Sequence, residues 1–489
     1  MNYILRDLAN TDKFKKYIKN DNYPIEISGL AFVAKSQLIA ATYEEKRNPI
    51  CLITYNEIQA KEMLKNLNYF LGDSLYFPKK EISAFDYDVE SNDIEYERID
   101  VLNKIYEKKA KVIVTTIEAI MQTMIQPNSL YNSVLSIKNS DEINIDSIKK
   151  ILTDLGYIRV DLVENRGEFS IRGNIIDIGL DKNDGIRIEL WGDTVDSIRK
   201  FKISSQRSSE MLKDIKIYPA TENILEDSIE NVCNRIENNK KKYSLEDIEI
   251  IKEGNYFSKI DKYFNEFYIN KTNFLEYVKG FEIFLDEKEK IYHRIDAIKK
   301  DNENLIKTLI EKDKNVPELL ENLNDFTLNI NNVTYLEEKD TLKNDFNTKE
   351  RNLFKGDIKS LSISVKEALE NKKKVIILAG NEDNASKIKK SLEMDSPILD
   401  NLDNIILKPG EVIISLGALS SGFEDTDTRL LVISSDEFFA KSKNTKRVSN
   451  TFKSGEKIVF ADLKVGDYIV HRNHGIGIYA GVNTIKEDG

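Results

Sequence analysis

Short apolar runs alternate with longer segments of helical periodicity over the first 120 residues of this 489-residue chain. Strand-like runs lie at residues 25–28, 50–55 and 111–115, and helical patterns at residues 35–45 and 57–71. Strands that alternate with helices of this length are typical of a parallel sheet with helical crossovers. We therefore expect such a sheet near the amino terminus.

The pattern changes at about residue 137. Between residues 157 and 217, short strand-like pieces are separated by turn signals: Asn165-Arg166-Gly167, Arg172-Gly173, Asn183-Asp184-Gly185 and Gly192-Asp193. Gly, Asn and Asp favour turns because they tolerate tight backbone conformations. The pattern predicts a small sheet-rich insertion rather than a further strand–helix–strand unit.

Three further segments follow this insertion. A charged helical region extends to about residue 345 and includes one long helix at 287–314, and strand-like runs at 374–378, 411–416 and 430–434 indicate a second α/β region. Residues 441–457 carry six basic residues and few apolar ones, which is typical of a linker. Two strands at 468–471 and 476–479 begin a last segment that is too short to close a sheet on itself, so we expect the chain to be part of something longer.

Composition excludes several classes of protein. The chain has 72 basic and 83 acidic residues, a formal net charge of −11, and binding nucleic acid over the whole surface would need an excess of clustered Lys and Arg. Two cysteines and three histidines predict neither a disulfide scaffold nor a metal centre. No apolar run has the length of a signal peptide core or of a membrane span, so we expect a cytoplasmic protein with no membrane partner.

Residues 29–36 (GLAFVAKS) have the register of the phosphate-binding loop, G-x-x-x-x-G-K-[ST], between a predicted strand and a predicted helix. Gly29, Lys35 and Ser36 match this pattern, but Ala34 replaces its second glycine. A phosphate cradle needs inward-pointing backbone N–H groups, with glycine where a Cβ would clash. We therefore interpret the loop as degenerate.

An acidic pair, Asp286 and Glu287, follows the apolar run at residues 281–285, in the place of the magnesium-organising acids of such ATPases. The alternative is a core strand followed by an acidic helix start, which the helix dipole favours. Neither G-x-S-x-G nor H-E-x-x-H is present, so we predict no catalytic residue and no cofactor for this chain. Whether Lys35 has gained a structural ion pair stays open at this point.

Four stretches resemble a module shared by two kinds of bacterial repair protein, the excision-repair helicase UvrB and the transcription-repair coupling factor (Mfd). They are residues 156–164 (GYIRVDLVE), 166–178 (RGEFSIRGNIIDI), 186–193 (IRIELWGD) and 205–208 (SQRS). Residues 464–479 (KVGDYIVHRNHGIGIY) resemble the opening of the RNA-polymerase-interacting domain of the coupling factor, and residues 416–424 (LGALSSGFE) resemble its small third domain. Because UvrB has no polymerase-interacting domain, the chain is similar to the amino-terminal portion of the coupling-factor family.

The resemblance implies an α/β multidomain fold. A degenerate RecA-like helicase domain would comprise residues 1–130 and 221–345, interrupted by a UvrB-like module at residues 131–220. A small α/β domain (346–440), a basic linker (441–457) and an incomplete RNA-polymerase-interacting domain (458–489), the start of a small β-barrel, would follow.

The resemblance also implies partners. In the family, the UvrB-like module docks on UvrA through two arginines and an aromatic residue, which correspond by motif position to Arg172, Arg187 and Trp191. The DNA translocase, with its ATP and magnesium, lies in a carboxy-terminal motor outside these residues. The chain would then be a non-enzymatic recruitment portion that binds UvrA without ATP and contacts DNA mainly through that motor.

Arg and Trp dominate interface hot spots, and Trp191 is the only tryptophan of the chain. On the docking interpretation, Arg187→Ala or Trp191→Ala weakens UvrA binding by about 2 kcal/mol or more with little change in melting temperature. The alternative is that Trp191 anchors the core of the module and that Arg172 pairs with an internal acid such as Glu189.

Two other functions stay open. The first is a UvrB-type ATP-dependent DNA helicase subunit, which would use Lys35, Ser36, Asp286 and Glu287. The second is an RNA-polymerase-binding adaptor built around residues 458–489.

Overall fold

A computed structural model describes residues 1–82, 93–239, 244–253, 259–312, 315–338, 345–351, 358–435, 468–471 and 475–478. The chain divides into two compact units, Met1–Phe438 and Phe439–Gly489. Within the described ranges, no helix combines the length and the apolar character that crossing a membrane requires.

Helices and strands alternate in the first 154 residues, as the sequence pattern predicts. They are α1 (Tyr3–Ala9), α2 (Asp12–Ile18), β1 (Ile25–Ser28), α3 (Phe32–Lys46), β2 (Ile50–Thr54), α4 (Glu57–Leu71), β3 (Leu75–Phe77), α5 (Asp93–Tyr106), β4 (Val112–Thr116), α6 (Ile117–Ile120), β5 (Met124–Ile125), α7 (Pro127–Asn132), β6 (Leu135–Lys138) and α8 (Ile145–Asp154). Every residue of β2 and β4 is buried, as is usual for strands of a parallel sheet that is covered on both faces.

A six-stranded sheet follows, made of β7 (Ile158–Arg159), β8 (Glu168–Arg172), β9 (Ile175–Gly179), β10 (Asp184–Trp191), β11 (Thr194–Lys202) and β12 (Arg207–Leu212). Its order is β12-β11-β10-β9-β8-β7, and all neighbours are antiparallel except β7 and β8. The chain then returns through β13 (Asp214–Ile217), which pairs with β6. This confirms the predicted sheet-rich insertion.

After the insertion the chain returns to the first sheet. The elements are α9 (Ile229–Asn238), α10 (Leu245–Lys252), α11 (Phe264–Phe267), β14 (Lys271–Thr272), α12 (Phe274–Tyr277), β15 (Glu282–Asp286), α13 (Lys288–Glu311), α14 (Glu318–Asn324) and β16 (Val333–Glu337). The predicted long helix is α13. Strands β15 and β16 complete a parallel sheet of order β1-β16-β15-β2-β4-β3, so segments on either side of the insertion share one sheet.

A second α/β region is built around a mixed sheet of order β17-β21-β22-β18-β20-β19. Its elements are β17 (Thr348–Arg351), α15 (Ile358–Glu370), β18 (Lys374–Leu378), α16 (Glu382–Leu392), β19 (Ile398–Leu399), β20 (Val412–Ser415), β21 (Gly422–Asp425) and β22 (Leu430–Ser434). It packs on the first sheet within one hydrophobic core. The Asn66 side chain donates to the Ser420 hydroxyl at 2.9 Å and accepts from the Ser420 N–H at 2.8 Å.

Of the second unit, the structure describes one antiparallel hairpin, β23 (Tyr468–His471) and β24 (Gly475–Ile478). The predicted linker at 441–457 and the rest of 458–489 lie outside the described residues. The small β-barrel and the domain boundaries given above therefore stay predictions.

A buried ion pair ties the returning chain to the first sheet. The Arg98 guanidinium donates to both carboxylate oxygens of Glu222, from Nε at 2.6 Å and from Nη2 at 2.8 Å. Its Nη1 donates to the Pro78 carbonyl at 2.7 Å, and its Cζ lies 4.2 Å from the centre of the Phe77 ring. Because Glu222 follows β13 and Arg98 lies on α5, this pair joins the exit of the insertion to the edge of the parallel sheet.

We expect Arg98→Ala to destabilise the Met1–Phe438 unit by about 3–5 kcal/mol, because it leaves the Glu222 carboxylate buried without its partner. Urea unfolding followed by circular dichroism measures the change. Lys252→Ala, which removes an exposed ion pair with Glu237, is the control and should leave the midpoint nearly unchanged. Equal midpoints for the two variants would show that the Arg98 pair does not stabilise the junction.

Candidate functional site

The loop between β1 and α3 does not have the geometry of a phosphate cradle. Helix α3 begins at Phe32, so the predicted start at Lys35 is wrong by three residues. The Lys35 N–H already donates to the Ala31 carbonyl at 3.1 Å in the first helical turn. Alanine at position 34 favours helix where the phosphate loop has glycine. Only Gly29, with φ of 80°, keeps a conformation that favours glycine.

A later segment of the chain covers this loop. The Thr348 hydroxyl accepts from the Ala31 N–H at 2.6 Å and donates to the Gly29 carbonyl at 3.1 Å, and the Thr348 N–H donates to the same carbonyl at 3.1 Å. The Phe346 N–H donates to the Ser28 carbonyl at 3.1 Å. The loop's backbone groups are therefore engaged by the protein itself.

The retained lysine lies at the centre of a buried ion triad. Its Nζ is 2.7 Å from Asp286 Oδ1 and 2.5 Å from Glu287 Oε1. The second carboxylate oxygen of Asp286 accepts from Gln59 Nε2 at 2.8 Å, and Glu287 Oε1 also accepts from the Glu338 N–H at 2.9 Å. The structure thus settles the question left open by the sequence, because Lys35 has a structural role in holding α3 against the end of β15.

Electrostatics leave little attraction for a triphosphate here. Burial lowers the pKa of Lys35, but the Asp286 and Glu287 carboxylates raise it more, so the net direction is upward and the ammonium stays charged. Two carboxylates against one ammonium leave the triad net negative. The neighbouring Ser36 is fully buried in the same helix, and its hydroxyl has no hydrogen-bond partner among the described residues.

An acidic groove of about 550 Å³ lies at the carboxyl ends of β1 and β16. Glu337 lies in the wall of this groove, and its pKa is raised. Burial is the largest cause, and the nearby carboxylates of Glu287 and Glu26 add to it. Such a lining repels phosphate. Within the described ranges, no cluster of His, Cys, Asp and Glu has an arrangement that would hold a metal ion. The groove's acidic and basic residues other than histidine are Glu26, Lys288, Glu289, Asp296, Glu337 and Asp345.

Lys35→Met should destabilise the protein by about 3–5 kcal/mol at pH 7, because two carboxylates stay buried without their cation. The stabilising effect of a raised lysine pKa is complete below the unfolded value of 10.5 and is lost as pH rises through the folded value. The difference between wild type and variant in urea unfolding should therefore be constant up to about pH 10 and shrink above 10.5.

The control for this series is Lys46→Met on the same helix, whose single partner Glu282 is partly exposed. Its effect should be less than half that of Lys35→Met. A Lys35→Met protein as stable as wild type at pH 7 would contradict a structural role for the triad.

The polar face of the insertion's sheet carries two rows of side chains. Directly opposed residues of antiparallel strands point to the same face, and the register defines both rows. The first row is Ser170, Asp177, Arg187, Arg199 and Met211, and the second is Arg172, Ile175, Glu189 and Ser197. The opposite face, with Phe169, Ile176, Ile178, Ile186 and Ile188, packs into the core.

Both predicted arginines bind one carboxylate. Asp177 is fully buried and accepts from Arg187 Nε at 2.7 Å, from Arg187 Nη2 at 2.9 Å and from Arg172 Nη2 at 2.7 Å. The bonds from Asp177 raise the pKa of Arg187. The alternative in which Arg172 pairs with an internal acid is therefore confirmed, but the acid is Asp177 and not Glu189. Glu189 instead accepts from Ser197 at 2.8 Å and lies 3.3 Å from Arg199.

Sequence reasoning missed Asp177. Its signal was strand periodicity. Asp177 lies two residues after Ile175, the β9 residue that pairs with Arg172, so alternation places Asp177 on the same polar face as Arg172. The side chains of Arg172 and Arg187 are 48% and 16% exposed. Arg172 therefore faces solvent, whereas Arg187 is largely enclosed, with its Cζ 5.0 Å from the centre of the Phe201 ring.

Trp191 ends β10 and is 83% exposed. The turn that follows it contains Gly192 with φ of 62°, and Thr194 of β11 is its cross-strand partner. The alternative in which Trp191 anchors the core of the module is therefore wrong. An exposed tryptophan and a half-exposed arginine on one face of a sheet have the composition of a docking surface.

The module matches the family model "UvrB interaction domain" over residues 135–223, and residues 463–489 match "CarD-like/TRCF RID domain". A transcription-repair-coupling factor of Bacillus subtilis (strain 168) is 28% identical over 531 aligned residues, which cover 100% of this chain and 45% of the relative. One from Staphylococcus aureus (strain Mu50 / ATCC 700699) is 27% identical over 494 residues, covering 94% of this chain and 42% of the relative.

The chain therefore contains two matched regions, a UvrB-type interaction module and, nearer its carboxyl end, a segment similar to the CarD-like domain of coupling factors. Along its whole length the chain is homologous to the transcription-repair coupling factors and corresponds to their amino-terminal portion. It spans less than half the length of these relatives.

Arg187 is enclosed and Trp191 is exposed, so their replacement should affect stability differently. The expectation that Arg187→Ala leaves the melting temperature nearly unchanged is therefore revised. Arg187→Ala should destabilise the module by about 2 kcal/mol or more, because Asp177 loses two of its three hydrogen bonds in a buried position. Trp191→Ala, at an exposed position, should stay within about 0.5 kcal/mol of wild type. Thermal unfolding of both variants tests this, and equal melting temperatures would contradict the assigned role of Arg187.

Proposed function

We propose that this chain is the recruitment portion of a transcription-repair coupling factor, and that it docks UvrA at lesions where RNA polymerase has stalled. The observation that carries the proposal is the exposure of Trp191 and Arg172 on the polar face of the module that matches the UvrB interaction domain. We call this polar face of the sheet, which carries Arg172, Asp177, Arg187 and Trp191, the arginine face.

Physical chemistry supports docking at the arginine face. A large exposed aromatic side chain releases water and gains apolar burial when a partner covers it. An arginine whose side chain is half exposed on the same face gives directional recognition. Arg172 and Trp191 would contact the partner directly, and Arg187 would act mainly by supporting Asp177 from within the module.

The remaining regions take supporting roles in the proposal. Residues 1–130 and 221–345 act as a degenerate RecA-like domain in which the Lys35 triad replaces nucleotide. ATP and magnesium serve the motor of full-length relatives, and this chain contributes no catalytic residue and no cofactor site. Residues 458–489 provide part of the contact with RNA polymerase, and DNA is contacted mainly by the motor.

In isothermal titration without nucleotide, we expect the chain to bind purified UvrA at micromolar or lower concentration. Trp191→Ala should weaken this binding by about 2 kcal/mol or more, because it removes the central aromatic contact, while its melting temperature stays close to that of wild type.

Met211→Ala is the matched control, since Met211 is also exposed on this face, at 65%, but lies on the edge strand β12. It should bind UvrA nearly as well as wild type.

No binding of UvrA by the wild-type chain would contradict the proposed recruitment function. ATP hydrolysis by the chain that is lost in Lys35→Met under conditions where circular dichroism shows the variant still folded would instead favour the UvrB-type helicase alternative.

A further inference from the structure

The arginine face has one more positive charge than its buried carboxylate can neutralise. Asp177 is fully buried, and its two oxygens receive three N–H donors from two guanidinium groups. Arg187 takes a bidentate geometry, the strongest form of this interaction. Arg172 is bound through Nη2 alone. The cluster is thus net +1, and the charge in excess lies at Arg172.

Arg172 is also the member of the cluster that a partner can reach. Its side chain is 48% exposed, against 16% for Arg187 and none for Asp177. A guanidinium has five N–H donors in a fixed planar arrangement. In the part of the chain that the structure describes, the bond to Asp177 engages one corner of the Arg172 guanidinium, so its remaining edge is available for a second acceptor.

The third arginine of this face is different. Arg199 has its own carboxylate, with Nη2 3.3 Å from Glu189, and Glu189 is held in turn by the Ser197 hydroxyl at 2.8 Å. Its charge is neutralised locally by one acid. An incoming anion is therefore attracted more strongly to Arg172 than to Arg199.

We propose that Asp177 is a positioning residue, which orients the Arg172 guanidinium to receive a carboxylate of the docking partner on the face that also presents Trp191. This inference rests on the proposed function and deepens it, since it names the chemistry of the partner's contact: a surface that carries an acidic residue as well as an apolar one. A guanidinium that is already oriented loses less side-chain entropy on binding, and the planar pairing gives selectivity for carboxylate.

The test is a double-mutant cycle of UvrA affinity with Asp177→Asn and Arg172→Ala. Asp177→Asn keeps the size of the side chain and removes its charge, and we expect it to weaken binding about threefold to tenfold. In the Arg172→Ala background the same change should have less than about a twofold effect, because the residue to be oriented is gone. A merely structural role would give the same loss in both backgrounds.

Glu189→Gln is the matched control, because Glu189 is the carboxylate that holds Arg199 on the same face. It should change the affinity by less than about twofold. Melting temperatures of all variants, followed by circular dichroism, report on folding.

Arg172→Lys tests the proposal without altering the buried carboxylate, and it covers the case in which Asp177→Asn does not fold. The ammonium keeps the charge but lacks the planar fork that can bind two carboxylates at once, so it should lose most of the affinity that Arg172→Ala loses. Wild-type affinity for Arg172→Lys, or equal losses in both arms of the cycle, would overturn the positioning role. A wild-type chain that does not bind UvrA would instead contradict the proposed function and, with it, this inference.

Discussion

The parallel sheet depends, at the carboxyl end of its interior strand β15, on a lysine that is enclosed by two carboxylates. A buried ammonium is costly unless it is paired and hydrogen-bonded, and Lys35 has both Asp286 and Glu287 within 2.7 Å. The triad joins helix α3 to the end of β15, and the Thr348 segment closes over the adjoining loop. Together these contacts use the groups that a nucleotide would otherwise engage.

The two clusters of charged residues differ in how completely their charges are compensated. At the former phosphate loop, two acids surround one base and the neighbouring groove is acidic, so an anion finds no attraction there. On the arginine face, one buried acid holds two bases, so a positive charge is left over where the protein is exposed. The balance of charges within each cluster therefore decides which of them can still bind a partner.

Local pattern predicted the main architecture well. The mostly apolar runs of β2 and β4 indicated a parallel sheet, and the turn signals between residues 157 and 217 indicated the antiparallel insertion. The start of α3 was misplaced because the motif, with its helix expected at Lys35, was given more weight than the helix-favouring Ala34. The Asn183-Asp184-Gly185 signal was also read as a turn throughout, whereas Asp184 already begins β10.

The sequence by itself determined the periodicity of each element, the loss of the second glycine at Ala34, and the types of residue, Arg and Trp, that suit a docking surface. Only the tertiary structure decided which charges meet. Lys35 is 251 residues from Asp286, and the bonds that join Arg172 and Arg187 to Asp177 depend on strand register and on burial. Exposure is likewise a property of the packed chain: Trp191 lies on the surface because β10 ends at the rim of its sheet, and no local pattern specifies where a rim will be.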